Sequence, residues 1–348
     1  MTHRPTTVDD LAAFDTVIDV RSPSEYALDH IPGAINCPVL DDAERAQVGT
    51  TYLQVSAFEA RKLGAALVAR RIADHLDTRF RDRPKQWRPL VYCWRGGLRS
   101  GSFVSWLRMI GWDAQQLQGG YKSWRRHVIE RLAELAPQLP LRVLCGPTGS
   151  AKTRVLRALG AAGAQVLDLE DLAAHRGSVL GALPGVEQPS QKAFETRLVH
   201  ALAGIDLARP VWVEAESRRI GRITLPEPLL QRLRASPVVE IAATPEARLA
   251  YLLRDYAWFA EDPERLATQL GCLQGLLANE TLARWQAWAR ARELAPLFAA
   301  LMAEHYDPLY ARSQGQHFEQ LREARRIEVD DLSDAGIAAL ATRIAAGP

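Results

Sequence analysis

The sequence predicts an α/β protein of two domains, the second continuing into a helix-rich C-terminal extension. Two observations predict it. Each half holds an apolar run that stops at a glycine-containing loop and resumes as an amphipathic helix. The second half then alternates strand-like runs with helical ones. The 348 residues, 47% of them hydrophobic, suffice for two cores. Domains are expected over residues 1–135 and 136–348, joined by a short linker at 133–140. Cys37, Cys93, Cys145 and Cys272 have neither metal-ligand spacing nor a disulfide-dense pattern, which favours a reducing, cytoplasmic setting. No apolar run is long enough to span a membrane, so no membrane partner is expected. A net charge of +2 announces no global attraction to nucleic acid.

In the first half, Pro89-Leu90-Val91-Tyr92 reads as a strand ending in Cys93, and residues 100–110 read as a helix. The loop between them is Cys93-Trp94-Arg95-Gly96-Gly97-Leu98-Arg99. A strand that turns tightly into a helix aims successive amide N–H groups at one point, where the helix N-terminus adds positive potential. Such a place cradles an anion and lowers the pKa of a thiol. Arg99 is placed to hold an oxyanion in a bidentate fork. Cys93 and Arg99 are therefore the catalytic candidates, with Arg95, Gly96, Gly97, Leu98 and Arg99 forming the anion site. The basic stretch Arg61, Lys62, Arg70, Arg71, Arg79, Arg81, Arg83, Lys85 and Arg88 is either a solvated face or a contact for RNA phosphates.

Two further blocks flank this loop. One is Val17-Ile18-Asp19-Val20-Arg21-Ser22-Pro23-Ser24-Glu25-Tyr26 with His30-Ile31-Pro32-Gly33-Ala34; the other is Leu117-Gln118-Gly119-Gly120-Tyr121 with Trp124. Together they resemble the rhodanese fold over residues 8–135. That resemblance implies a cysteine that carries sulfur or selenium as a persulfide or perselenide. The seven-residue loop is longer than a sulfurtransferase's and is similar in length to that of dual-specificity phosphatases, which suggests a phosphate-like substrate.

In the second half, Leu141-Arg142-Val143-Leu144-Cys145 reads as a buried strand. Gly146-Pro147-Thr148-Gly149-Ser150-Ala151-Lys152-Thr153 and a helix follow, which makes a P-loop. Gly146, Thr148, Gly149, Ser150, Ala151, Lys152 and Thr153 are the candidate diphosphate cradle, and the Thr153 hydroxyl is the candidate Mg2+ ligand. Ala151 stands where a P-loop normally has glycine, which casts doubt on routine nucleotide hydrolysis.

Strands are expected at 164–168, 210–214 and 238–242, and a helix at 191–203. Ligands of such a sheet bind at the carboxyl ends of its strands. There the sequence offers Asp168, His175, Arg176, Glu214, Glu216 and Arg218 as second-layer or substrate contacts. Glu214 or Glu216 orients a metal or its water, or else pairs with Arg218 and Arg219; His175 is a base or a plain loop histidine. Helices are expected at 248–259, 263–277, 282–305 and 334–346. Their aromatics, among them Tyr251, Tyr256, Trp258, Phe259, Trp285, Phe298, Tyr306, Tyr310 and Phe318, form core or line an apolar or base-stacking groove.

The order of the two halves, with His175-Arg176-Gly177-Ser178, Gln188-Pro189-Ser190-Gln191-Lys192 and Glu214-Ala215-Glu216-Ser217-Arg218-Arg219, resembles the tRNA 2-selenouridine synthase family. The resemblance implies a transferase acting on tRNA that bears 2-thiouridine at the wobble position. It implies selenophosphate as selenium donor and geranyl diphosphate as alkyl donor, S-geranyl-2-thiouridine as intermediate, and a selenophosphate-producing enzyme as a partner. Other classes stay open on the residues alone. They are a rhodanese-type sulfurtransferase fused to an NTP-dependent enzyme, a phosphatase, and a protein that senses anions without turnover.

Overall fold

The computed structural model describes residues 5–177, 181, 185–310, 312 and 320–347; Ser178 and Phe318 lie outside them. The chain forms two compact units. One comprises Met1–Arg131 with Pro189–Val199, the other Leu132–Gln188 with His200–Pro348.

The first unit runs β1 (Thr16–Asp19), α1 (Pro23–Leu28), β2 (Ile35–Asn36), α2 (Asp42–Gln54), α3 (Ala57–Thr78), β3 (Pro89–Tyr92), α4 (Leu98–Ile110), β4 (Gln115–Gln116) and α5 (Tyr121–Leu135). Its sheet is parallel throughout, in the order β2-β1-β3-β4, with Ile18 opposite Val91. Every residue of β3 is buried, as a central parallel strand requires. The core joins Ile18, Val20 and Val91 to Phe103 and Leu107 of α4 and to Phe80 and Trp87.

The upstream flank proves to be scaffold. Arg21, 1% exposed, donates from Nη2 to Asp19 (2.6 Å) and to the Asp29 carbonyl (2.7 Å), and its guanidinium lies 3.9 Å from the centre of the Tyr121 ring. The Tyr121 hydroxyl donates to Asp29 at 2.7 Å. This buried pair is satisfied on all sides, which is the condition for tolerating burial.

The basic stretch is neutralised in part, at four of its nine residues. Lys62 pairs with Glu59, Arg71 with Asp41 and Glu44, Arg81 with Asp77, and Arg88 with Asp15. Residues 133–140 are no loose linker. Helix α5 runs to Leu135, a 3-10 turn spans Ala136–Gln138, and Ala136 and Leu139 are fully buried.

The second unit continues with β5 (Leu141–Cys145), α6 (Lys152–Ala161), β6 (Gln165–Leu167), α7 (Leu169–Ala173), α8 (Gln191–Ala203), β7 (Val211–Glu214), β8 (Arg219–Ile220), β9 (Ile223–Thr224) and α9 (Glu227–Arg234). Then come β10 (Val238–Ala243), α10 (Pro245–Asp255), α11 (Pro263–Leu270), α12 (Asn279–Arg290), α13 (Leu294–Ala300), β11 (Arg325–Val329) and α14 (Asp334–Ala345). The start of α8, up to Val199, groups with the first unit. The five-stranded sheet is parallel, ordered β11-β10-β5-β7-β6, and β8–β9 is a small antiparallel hairpin.

The four expected strands form, and β11 is a fifth. The expected helix at 282–305 is broken instead. Arg292 adopts a left-handed conformation (φ 60°) between α12 and α13, and residues 301–306 wind as a π-helix. The helix expected at 263–277 ends at Leu270, where Gly271 begins a 3-10 turn. Trp285, Phe259 and Phe298 are core residues. Among the described residues no helix is long and apolar enough to cross a membrane.

Candidate functional site

Cys93 follows β3 directly and stands before the N-terminus of α4, whose cap is Gly97. The loop is held from behind. The Tyr121 and Lys122 amides donate to the carbonyls of Cys93 (2.8 Å) and Trp94 (3.1 Å). Gly120, at φ 59°, makes this approach possible, because a Cβ there would lie 2.3 Å from the Cys93 oxygen. The downstream Gly119-Gly120-Tyr121 block is thus the backing of the cysteine loop.

The Cys93 sulfur accepts the Gly97 amide at 3.3 Å and the Ser100 hydroxyl at 3.1 Å. Gln116 donates from Nε2 to the Ser100 oxygen (2.8 Å) and to the Gly97 carbonyl (3.0 Å), which leaves the serine hydrogen free to donate, with the Cys93 sulfur at 3.1 Å and the Gly97 carbonyl at 3.4 Å as its acceptors. Burial pushes the Cys93 thiol up, but the Ser100 hydrogen bonds, the Arg99 charge and the Gly97 amide outweigh it, and its pKa is lowered. The other two buried thiols behave oppositely: burial raises Cys37 to about 11 and Cys145 to about 12. Cys93 is the poised thiol.

Arg99 donates from Nη1 to Glu25 at 3.0 Å, so one arm of its guanidinium fork is held by that carboxylate. Arg95 and Leu98 are exposed at the loop, beside Gly96 and Gly97. Lys192, from the segment 189–199, stands 5.6 Å from the Trp94 ring centre.

The second centre is the turn from β5 into α6. Ala151 adopts φ 56° and ψ 25°, the left-handed conformation that glycine fills without strain. Its methyl group is 4% exposed and packs in the cluster that contains Val155, Leu156 and Leu252. Lys152 stretches across the loop, donating to the Gly146 (2.8 Å) and Pro147 (3.4 Å) carbonyls. Ser150 is buried and donates to Pro147 at 2.8 Å. Arg248, 4% exposed, donates to the Thr148 carbonyl (2.8 Å) and forks onto Asp307 at 2.6 and 3.0 Å.

Beside this loop Glu170, Glu214 and Glu216 bring carboxylate oxygens within 4.8 Å of one another. Thr153 donates to Glu170 at 3.2 Å, and Glu214 Oε1 is buried without a hydrogen-bond partner. Burial, then the Glu214 charge, pushes Glu170 up to about 8; burial raises Glu214 and Glu216 as well, against the opposing pull of Lys152. Among the described residues neither Glu214 nor Glu216 pairs with Arg218 or Arg219. Asp168 is outside this trio: it caps α7 through the Asp171 amide (2.8 Å) and binds Arg157.

The loop after α7 covers the trio. Ala174 turns it with a left-handed φ of 50°, and a Cβ at Gly177 would meet Glu170 Oε1 at 2.5 Å. His175 has a buried Nδ1 without a partner, and burial lowers its pKa, which favours the neutral ring. Arg176 pairs with Asp255 and lies 4.9 Å from the Tyr256 ring centre. All of this faces a cavity of about 990 Å³ whose other wall carries Tyr251, Leu252, Tyr256, Leu309 and Tyr310.

Residues 5–127 match the rhodanese-like domain, and residues 139–280 match the tRNA 2-selenouridine synthase AAA domain. A tRNA 2-selenouridine synthase of Cupriavidus necator is 37% identical over 358 residues, covering 92% of this chain and 94% of its own. The chain belongs to the tRNA 2-selenouridine synthase family. The enzyme of that name from Alcanivorax borkumensis is 41% identical over 73% of this chain and 70% of its own. The one from Nitrosomonas europaea is 39% identical over 72% of this chain, and the match spans just under two thirds, 66%, of its own length.

Within this family frame, sequence reasoning missed Ser100, Gln116, Glu25, Glu170 and Arg248. Ser100 had a signal, since it lies on the first turn of the helix that follows Arg99. Glu170 also had one, as an acid beside the end of a strand. Glu25 stood in the upstream block without a role of its own, and Gln116 and Arg248 reach their centres from remote elements with no local mark.

Proposed function

We propose that this chain converts wobble 2-thiouridine of tRNA to 2-selenouridine, by way of S-geranyl-2-thiouridine. The observation that carries the reading is the presence, in one chain of this family, of two chemically different centres. One is a thiol of lowered pKa at a helix N-terminus. The other is a phosphate-binding loop opening on a cavity with a tyrosine- and leucine-lined wall. The thiocarbonyl sulfur is a poor leaving group, and its alkylation makes it a thioether that departs readily.

In the P-loop unit the loop amides and Lys152 would hold the diphosphate of geranyl diphosphate, while Tyr251, Leu252, Tyr256 and Leu309 offer a wall for the prenyl chain. As the thiouridine sulfur bonds to the allylic carbon, that carbon's bond to oxygen breaks and diphosphate leaves. Lys152 would stabilise the charge that builds on the departing oxygen. The residues fit a Mg2+ ion: Thr153, Glu170, Glu214 and Glu216 would hold it, and the unpartnered Glu214 oxygen supports this. When bound, the ion supplies countercharge to the diphosphate. His175, whose Nδ1 has no hydrogen-bond partner, would be available to accept the proton that the thiouridine ring releases.

In the rhodanese-like unit Cys93 would serve as the thiolate of the selenium-transfer step. The amides of 95–99 would hold the phosphate of selenophosphate, supplied by an enzyme that makes it. The test is direct. Purified protein is incubated with 2-thiouridine-containing tRNA and geranyl diphosphate, with and without selenophosphate, and digested nucleosides are weighed by mass spectrometry. A geranylated nucleoside that becomes selenouridine when selenophosphate is added is the expected result. No change in mass with tRNA bound would favour a sulfurtransferase fused to an NTP-dependent enzyme instead.

A further inference from the structure

The arginines around the P-loop cavity fall into two groups. Arg154, Arg157 and Arg176 are neutralised by Asp334, Asp168 and Asp255 respectively. Arg218, Arg219 and Arg234 line the same cavity and have no carboxylate partner among the described residues. Arg218 and Arg219 are exposed, and Arg234 is half-exposed.

These three stand on firm supports. Arg219 opens the β8–β9 hairpin and Arg218 immediately precedes it; the hairpin is pinned inward by Ile220 (0% exposed) and Ile223 (1%). The Leu225 amide donates to the Arg218 carbonyl at 3.0 Å. Gln188 fastens the hairpin from the side. Its amide nitrogen donates to the Ile220 and Ala173 carbonyls, both at 3.1 Å, and its oxygen accepts the Arg222 amide at 2.9 Å. Arg234 ends α9, whose Leu229, Leu230 and Leu233 are buried. Three guanidinium groups without carboxylate partners among the described residues thus line one cavity, on two anchored elements.

Exposed guanidinium groups without a carboxylate partner attract a polyanion to the surface that carries them. The P-loop amides and Lys152 already provide for one diphosphate, so the rim carries charge beyond that need. Planar guanidinium forks match phosphate oxygens, and exposed positions suit an extended backbone better than a small buried anion. We infer that Arg218, Arg219 and Arg234 form an RNA-phosphate clamp at the mouth of the P-loop cavity, which seats the tRNA backbone so that one nucleotide enters. The identity of the RNA rests on the function proposed above.

The experiment uses the full chain with Arg218→Gln, Arg219→Gln and Arg234→Gln combined, and 2-thiouridine-containing tRNA titrated over a salt series. Each phosphate contact to single-stranded RNA contributes about 0.7 to the slope of log K against log salt, so the slope should fall by about 2. The corresponding triple lysine variant keeps the charges and should retain most of the slope. Inorganic pyrophosphate binding, followed by calorimetry, should stay within about twofold of wild type, which also reports an intact P-loop. An unchanged slope in a variant that still binds pyrophosphate overturns the clamp. So does loss of pyrophosphate binding in the glutamine variant with an unchanged tRNA slope, which would give the rim to the diphosphate. Wild-type protein that binds tRNA through these arginines yet leaves thiouridine unmodified would defeat the proposed function and leave the clamp standing.

Discussion

At the scale of single residues, the Cys93 thiol is set by one neighbour more than by any other. Ser100 is the residue whose hydrogen bonds to sulfur most oppose the burial that pushes the thiol up. A hydrogen bond to a charged group contributes about 1.5–3 kcal/mol, so Ser100→Ala should slow alkylation of Cys93 at neutral pH by about tenfold or more. Since the lowered pKa makes thiolate available at lower pH, the variant's alkylation profile should move to higher pH. Rates with iodoacetamide across pH, in a background where Cys272 is serine, check this. A profile that stays in place would assign the lowered pKa to the helix N-terminus and Arg99. Gln116→Ala should move it in the same direction by a smaller amount, because it removes only the group that turns the serine hydroxyl toward sulfur.

The Glu170, Glu214 and Glu216 trio makes a second prediction at this scale. Three clustered carboxylates near one lysine, Glu214 buried and Glu170 and Glu216 half-buried, are costly unless protonated or bound to a cation. Mg2+ should therefore raise the unfolding temperature of the wild-type protein. Glu214→Gln, which removes charge at the orphaned oxygen, should abolish most of that rise. Thermal unfolding of both proteins with and without Mg2+ provides the measurement, and an equal response from the two would reject Glu214 as a ligand.

At the scale of elements, two alanines in left-handed turns deliver the chain to its P-loop cavity: Ala151 before Lys152 and Ala174 before His175. Such a conformation costs a non-glycine residue roughly 1–2 kcal/mol, part of which the unfolded-state freedom of glycine returns. Ala151 packs its methyl in the core, whereas Ala174 is only half-buried at the end of α7. Ala174→Gly should thus stabilise the protein by about 0.5–1 kcal/mol in denaturant unfolding, and destabilisation would show that the turn is not strained.

The elements that the sequence revealed best are those in which pattern and burial agree. Residues 141–145 and 191–203 read as a strand and a helix and are found with those bounds, because each is apolar at the period its element needs. β11 escaped notice for the opposite reason. Its Arg325, Arg326 and Glu328 belong to an edge strand that buries only Ile327 and Val329. The break at Arg292 also escaped, since a left-handed arginine leaves no mark in composition. In the sites, Cys93 and Lys152 were legible from local loop chemistry. The Glu25–Arg99 pair was not, because it joins residues 74 apart in sequence.

At the scale of the whole molecule, each centre is built from residues of a single unit. Cys93, Ser100, Arg99, Glu25 and Gln116 lie in the first, and the P-loop, the carboxylate trio and the cavity lie in the second. Damage to one chemistry should therefore spare the other. Cys93→Ser removes the thiolate without touching the P-loop, so it should abolish selenouridine formation while geranylation proceeds at close to the wild-type rate. On the proposed function, Lys152→Ala removes the charge that would face the departing diphosphate, and loss of one such stabilising group typically costs about 100-fold or more in rate. It should cripple geranylation. It should also leave selenation intact when tRNA that already carries S-geranyl-2-thiouridine is supplied. Single-turnover assays of both half-reactions, with nucleosides analysed by mass spectrometry, separate these cases. Loss of both half-reactions in a Cys93→Ser protein with wild-type thermal unfolding would mean that the thiol serves the alkylation as well, and two separate workshops would no longer describe the enzyme.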